Sequence, residues 1–246
     1  MLNAFADVKQ LLINLERSSD RLRTFRAWNS FLPDVERFSA IDGRTLDRQV
    51  LISQGVLDPR VTYTDGALGC ALSHVTLWER VVSEGVVATI VEDDAVFNRH
   101  FAVRSAAVLD ALPAEWDCVL WGWNFDSVLV SECLPGVTAA LMHFDQASLR
   151  SHLDRFQNLP IDARPIALYR AFGTVCYSVT PRGAAKFLAA CRPLRPLSVT
   201  VPGLPAPLPN NGIDVMMNAV YPQTKTFAAF PPLVVTPNER GSSLVQ

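Results

Sequence analysis

A helix-then-strand unit between residues 65 and 94 constrains this chain more than any other feature. Leu68, Ala71, Leu72, Val75, Trp78 and Val82 recur with the 3.6-residue period of a helix buried along one face. Asp65 is the expected N-cap and Gly85 the expected C-terminal stop. Val86 to Val91 is then a β-branched run, expected as a strand, that leads straight into Glu92, Asp93 and Asp94. Three carboxylates therefore stand at the C-terminal end of a buried strand.

The flanking segments repeat the alternation. Val8 to Leu15 reads as a buried strand, and after a polar loop Leu22, Phe25 and Trp28 recur at helical spacing, with Ser19 as a candidate cap. Val35 to Ile41 is an expected strand that stops at Asp42-Gly43, a pair suited to a turn. Cys118 to Trp123 and Phe172 to Val179 read as further strands. Thr180-Pro181 supplies a cap and a first-turn proline for a helix ending before Pro193. Six prolines between Pro193 and Pro209 predict an irregular loop, and Ile213 to Val220 a short helix. Periodicity is weak from Asn124 to Asp162, which stays unassigned. Alternation of this kind predicts an α/β fold, a Rossmann-type α/β/α sandwich with a mainly parallel central sheet and ligands at the C-terminal strand ends.

Composition removes several classes. A chain of 246 residues, 49% hydrophobic and 19% charged, can bury roughly 70% of its unfolded surface, enough for a single domain over 1–246. Lysine and arginine (22) nearly balance aspartate and glutamate (24) without long runs of either sign, so no nucleic-acid partner is expected. Cys70, Cys118, Cys133, Cys176 and Cys191 form no CxxC pair and read as reduced thiols, mostly in the core. No stretch reaches the roughly 18 apolar residues of a membrane span, and the N-terminus lacks a basic leader pattern, so a cytoplasmic location is expected.

Three adjacent carboxylates repel one another unless solvated or bound to a cation. Alternation along an extended segment would send Glu92 and Asp94 to one side and Asp93 to the other. An acid-x-acid oxygen pair suits Mn²⁺ or Mg²⁺, which would bridge diphosphate oxygens. A solvated acidic turn would show the same three letters.

Wider segments narrow the choice. Ile13-Asn14-Leu15 with Arg17 and Arg21, Ala40-Ile41-Asp42-Gly43, Gly66 through His74, and Val91-Glu92-Asp93-Asp94-Ala95 together resemble glycosyltransferase family 25, which includes lipopolysaccharide and lipooligosaccharide galactosyltransferases. The resemblance is dense over residues 8–101, thins from Trp123 to Arg170, and returns at Phe172-Gly173-Thr174, at Pro181 to Phe187 and at Gly212-Ile213-Asp214. It implies a GT-A fold, a nucleotide-sugar donor and metal-assisted transfer, with residues 1–123 as the donor half and 124–246 as the acceptor half. Carried over by position, Asn14, Arg17 and Arg21 would lie near the donor nucleotide, with the arginines available to phosphate. Asp42 and Gly43 would form part of the uracil and ribose pocket. Gly69 would permit close approach, Ser73 and His74 would face donor hydroxyls or phosphate, Asp93 would sit beside the donor, and Glu92 and Asp94 would hold the metal.

The acceptor's proton needs a base, for which Asp214 and Asp126 are the candidates, Asp214 being preferred. Trp121 and Trp123 read as core or rim aromatics. The expected function is transfer of galactose or glucose from a UDP-sugar to a glycan or lipid-linked acceptor, with inversion and at most peripheral membrane contact. A metal-dependent phosphohydrolase and a non-catalytic sugar-nucleotide-binding paralogue are the alternatives.

Overall fold

A computed structural model describes residues 8–33 and 35–238; the ends of the predicted 1–246 domain lie outside the described residues. From the N-terminus, β1 (Lys9–Asn14), α1 (Ser19–Trp28) and β2 (Glu36–Ser39) lead through α2 (Arg48–Ser53) to the long α3 (Asp65–Glu84). Next come β3 (Ala88–Glu92), the short β4 (Val96–Phe97), α4 (Phe101–Asp110) and β5 (Cys118–Gly122). The unassigned middle folds as a hairpin, β6 (Val128–Leu134) with β7 (Thr138–His143), then α5 (Gln146–Ser151), α6 (Leu153–Asn158) and β8 (Arg164–Ala171). The chain continues through β9 (Cys176–Val179), α7 (Pro181–Cys191), the two-residue strands β10 (Ser198–Val199) and β11 (Leu208–Pro209), and α8 (Ile213–Val220), and closes on β12 (Thr226–Phe230) and β13 (Val234–Val235).

Side chains alternate along the strands, and this sorts the core into two layers. Leu11, Ile13, Ile90, Cys118 and Leu120 point to one face, where they meet Leu68 and Trp78 of α3, Phe187 of α7 and Met216 of α8. Leu12, Val91, Val119 and Trp121 point to the other, against Phe25 of α1 and Phe101 and Val108 of α4. The expected α/β/α sandwich is the result. Trp121 and Trp123 are fully buried core residues.

The central sheet has nine strands in the order β2-β1-β3-β9-β5-β12-β8-β6-β7. Six of the nine, β1, β2, β3, β5, β6 and β12, run one way, while β7, β8 and β9 are reversed, so most strands are parallel in direction although the sheet is mixed. β9 inserts antiparallel between β3 and β5, and strands from both halves of the chain share one sheet. No helix among the described residues is long and apolar enough to cross a membrane.

Local signals were displaced at several element ends. Thr64, not Asp65, caps α3 by accepting from Ala67 N; Asp65 sits in the first turn, where its charge favours the helix dipole. Gly85, with φ 68°, ends that helix as expected. Ser18 rather than Ser19 precedes α1, and it makes no side-chain cap bond. The expected strand at Phe172 to Val179 narrows to Cys176–Val179; of the residues before it, Gly173 and Thr174 line the site while Phe172 and Val175 are buried in the core. Thr180 caps α7 through Gly183 N with Pro181 in its first turn, as the sequence predicts. The proline-rich loop is irregular apart from the β10–β11 pair. Of the cysteines, Cys118, Cys176 and Cys191 are buried, Cys70 is intermediate and Cys133 is exposed; all are free thiols.

Candidate active site

One cavity of about 770 Å³ opens beyond the C-terminal ends of β1 and β3. Asn14, Arg17, Arg21, Asp42, Gly43, Ser73, His74, Glu92, Asp93, Asp94, Asp126 and Asp214 all line it; of the candidates read from sequence, Gly69 alone does not. Residues separated by 200 positions in the chain are thus gathered at one sheet edge, Asn14 from the end of β1 and Asp214 from the start of α8.

Strand β3 ends at Glu92, and Asp93-Asp94 form a turn closed by Ala95 N donating to Glu92 O at 3.1 Å. The strict two-residue alternation expected through Asp94 therefore stops at Glu92, because pleating requires extended backbone. The three acids nevertheless differ in their partners. Asp93 is buried and accepts from Asn14 Nδ2 at 2.7 Å and Arg21 Nε at 2.7 Å, and Arg21 also approaches Asp94 Oδ2 at 3.4 Å. Arg21 is thus committed to the acidic turn. Asn14 belongs to the same framework: it donates to Ser18 O at 3.1 Å and accepts from Arg37 at 2.9 Å.

Glu92 turns toward Thr174, whose hydroxyl donates to Glu92 Oε1, and toward His74, whose Nε2 is 3.8 Å from the same oxygen. Burial opposes the charge on Glu92, but His74, Thr174 and Arg21 outweigh it and hold the carboxyl below its ordinary range. Asp94 takes the opposite course. Burial first and the charge of Glu92 second push its carboxyl up to about 7, and its Oδ1 is buried with no hydrogen-bond partner among the described residues. Burial likewise raises the Cys70 thiol, with the nearby carboxylates adding to it.

The opposite wall is the loop at Asp42. Arg44 and Arg17 hold Asp42 well below the usual carboxylate range by hydrogen bonds, Arg17 Nε at 2.8 Å and Arg44 at 2.8 Å and 3.1 Å. Ser73 uses its hydroxyl proton within the protein. It accepts from Ile41 N at 2.9 Å and donates to Gly69 O at 2.8 Å, which ties the loop to α3. Gly69 has the same part: a Cβ there would stand 2.4 Å from Ile41 O and 2.6 Å from Gly43 N. Both residues thus shape the cavity by holding this loop against α3. Gly69→Ala should push the loop off α3 and cost about 1–3 kcal/mol of stability by overpacking. An unchanged urea midpoint would contradict that close approach.

Asp214, at the start of α8, lines the same cavity. Its Oδ2 accepts from Gly173 N at 3.0 Å and its Oδ1 from Val215 N at 2.8 Å. Burial raises its carboxyl above the ordinary value, partly offset by those backbone bonds. Asp126 lines the same cavity from an exposed position after β5. Thr174, Cys70 and Asn124 are lining residues to which the sequence reading assigned no role. Thr174 was legible only as part of the Phe172-Gly173-Thr174 segment, and Tyr177 behind His74 gives no local signal beyond that of a strand aromatic.

The geometry can be set beside known proteins. Residues 7–202 match the sequence profile of Glycosyltransferase family 25 (LPS biosynthesis protein). A glycosyltransferase 25 family member from Aedes aegypti is 37% identical over 123 residues, covering 45% of this chain and 20% of that protein. A probable inactive glycosyltransferase 25 family member 3 from Bos taurus is 36% identical over 116 residues, covering 41% of this chain and 20% of that protein. A family member from Anopheles gambiae is 34% identical over 123 residues, 45% of this chain and 21% of that protein. The matched segment thus spans about a fifth of the length of each relative. With the profile covering most of its length, the chain, whose acidic turn, Asp42 loop and α3 residues gather around one cavity, belongs to glycosyltransferase family 25.

Proposed function

We propose that this protein is a metal-dependent glycosyltransferase that moves galactose or glucose from a UDP-sugar to a glycan or lipid-linked acceptor such as lipopolysaccharide or lipooligosaccharide, with inversion at the anomeric carbon. The observation that carries this reading is the buried Oδ1 of Asp94, unpartnered among the described residues, beside Glu92 in a cavity large enough for a nucleotide sugar. Two carboxyls that burial and mutual repulsion set against each other fit a divalent cation, because a cation relieves both penalties at once. Glu92 and Asp94 would hold Mn²⁺ or Mg²⁺, a hard-oxygen donor pair suited to either ion. When bound, the ion would neutralise charge on the departing diphosphate.

The protein's own groups account for the rest. Asp42, with Arg17 and Arg44 fixed on it, forms the wall against which the nucleotide would lie. Asp214 is the proposed base. The acceptor oxygen bonds to the anomeric carbon, the bond from that carbon to the diphosphate oxygen breaks with its electron pair leaving on UDP, and the hydroxyl proton passes to Asp214. Burial makes Asp214 a stronger base than an ordinary carboxylate, and its two backbone bonds fix its direction. Asp126 is the second candidate, on the acceptor side. The Asn124–Arg170 region, with its β6–β7 hairpin, would set acceptor choice, and contact with a membrane-held acceptor would be peripheral.

Calorimetric titration of UDP, UDP-galactose and UDP-glucose, with and without Mn²⁺, tests the donor site. Mn²⁺-dependent binding is expected; no binding of any of the three under either condition would sink the reading. Turnover that requires an acceptor separates transfer from phosphohydrolase chemistry. Donor binding with no turnover on any glycan acceptor would point instead to a binding role, the alternative raised by the relative named as probably inactive.

A further inference from the structure

Cys70 and His74 stand one turn apart on α3 and face Glu92, and their donor atoms lie within 4.8 Å of one another. Sulfur, nitrogen and oxygen converging in this way would ordinarily suggest zinc. The hydrogen-bond bookkeeping behind His74 points elsewhere. Trp78 Nε1 donates to the Tyr177 hydroxyl at 2.9 Å, and an indole nitrogen can only donate. The phenol has a single proton of its own, and its other hydrogen-bond neighbour is His74 Nδ1 at 2.8 Å. If Nδ1 carried the ring proton, the buried phenol proton would have no acceptor among the described residues, at a cost of about 1–3 kcal/mol. If Nδ1 accepts, all three groups are satisfied.

We infer that Tyr177 locks His74 as the Nε2–H tautomer, so that His74 serves as a donor holding Glu92 and not as a metal ligand with Cys70. The ring is fully buried, its Nε2 makes no hydrogen bond to the described residues, and it faces Glu92 Oε1 across 3.8 Å, an electrostatic contact longer than a hydrogen bond. Thr174 donates to that same oxygen. With Oε1 bonded by Thr174 and faced by His74 Nε2, Glu92 Oε2 is left to the cavity. The Trp78–Tyr177–His74 chain is thus a positioning device that keeps a mixed sulfur–nitrogen pocket closed to soft metals and presents a hard oxygen instead. Tyr177 is a positioning residue, and its effect on cation binding rests on the proposed role of Glu92; the tautomer itself does not.

Long-range ¹H–¹⁵N correlation on histidine-labelled, metal-free protein reads the tautomer directly. The chain has four histidines, and the His74 signals are identified by their loss in His74→Gln. The wild type should show His74 as Nε2–H alone, and Tyr177→Phe should gain an Nδ1–H population and bind UDP with Mn²⁺ about 10- to 100-fold more weakly, the usual effect of losing an outer-shell partner. An Nδ1–H tautomer in the wild type overturns the lock. So does a thiolate-to-metal absorption band on adding Co²⁺ that disappears in Cys70→Ser. The wild-type spectrum decides even if Tyr177→Phe fails to fold. If the wild type shows Nε2–H yet binds no UDP with Mn²⁺, the cation role of Glu92 falls and the tautomer lock stands.

Discussion

Asp214→Asn is expected to bind UDP and Mn²⁺ as the wild type does while transferring sugar about 100- to 10,000-fold more slowly, the usual contribution of a positioned general base. The substitution is close to isosteric. The amide oxygen can still accept from Gly173 N or Val215 N, so the start of α8 should survive, and the thermal midpoint provides the check. What is lost is the basic carboxylate. The two effects separate cleanly because Asp214 reaches the cavity from α8, whereas the acidic turn follows β3. Single-turnover transfer near the wild-type rate would remove Asp214 as the base and shift the assignment to Asp126.

The second large effect belongs to Asp94. Asp94→Asn should abolish the Mn²⁺-dependent part of UDP binding, a loss of at least about 100-fold, because a neutral amide is a poor ligand for a hard cation. Metal-free protein should become more stable, not less, as pH falls toward 4 so far as this group is concerned. Its carboxyl sits at about 7 in the folded chain against an ordinary 3.8, so between those values the folded state holds a proton that the unfolded state has released. The contribution is complete below about pH 4 and is lost as pH rises through about 7. Melting temperature against pH should therefore be flatter over this window in Asp94→Asn than in the wild type. Metal binding displaces the same proton, so Mn²⁺ affinity should rise about tenfold per pH unit up to about pH 7 and then level. Equal pH profiles for the two proteins would remove Asp94 as the titrating ligand.

Much of the site was legible because its parts sit on elements with strong local signals. The aliphatic runs of β1 and β3, the α3 period and the short α8 needed only neighbouring residues to be read, and Asn14, Glu92, His74 and Asp214 occupy those elements or their ends. The middle of the chain was not legible. In the β6–β7 hairpin β6 passes from buried to exposed part-way and β7 is half-buried along its middle, so neither strand carries a clean alternation of apolar and polar residues. The reversed insertion of β9 between β3 and β5 depends on pairings made across almost 90 positions of chain, which no local window contains.

Roles within the site divide in the same way. Sequence by itself determined the α/β class, the placing of three acids at a strand end and the family, since periodicity, caps and residue order are properties of a chain read along its length. Only the tertiary structure decided which acid does what. Asp93 is consumed by Asn14 and Arg21, Asp94 is left with an unsatisfied oxygen, and Glu92 is turned toward His74 and Thr174. Three chemically similar side chains in a row become different only through the partners that long-range packing brings to each, because burial and hydrogen bonding set the charge a carboxyl can carry.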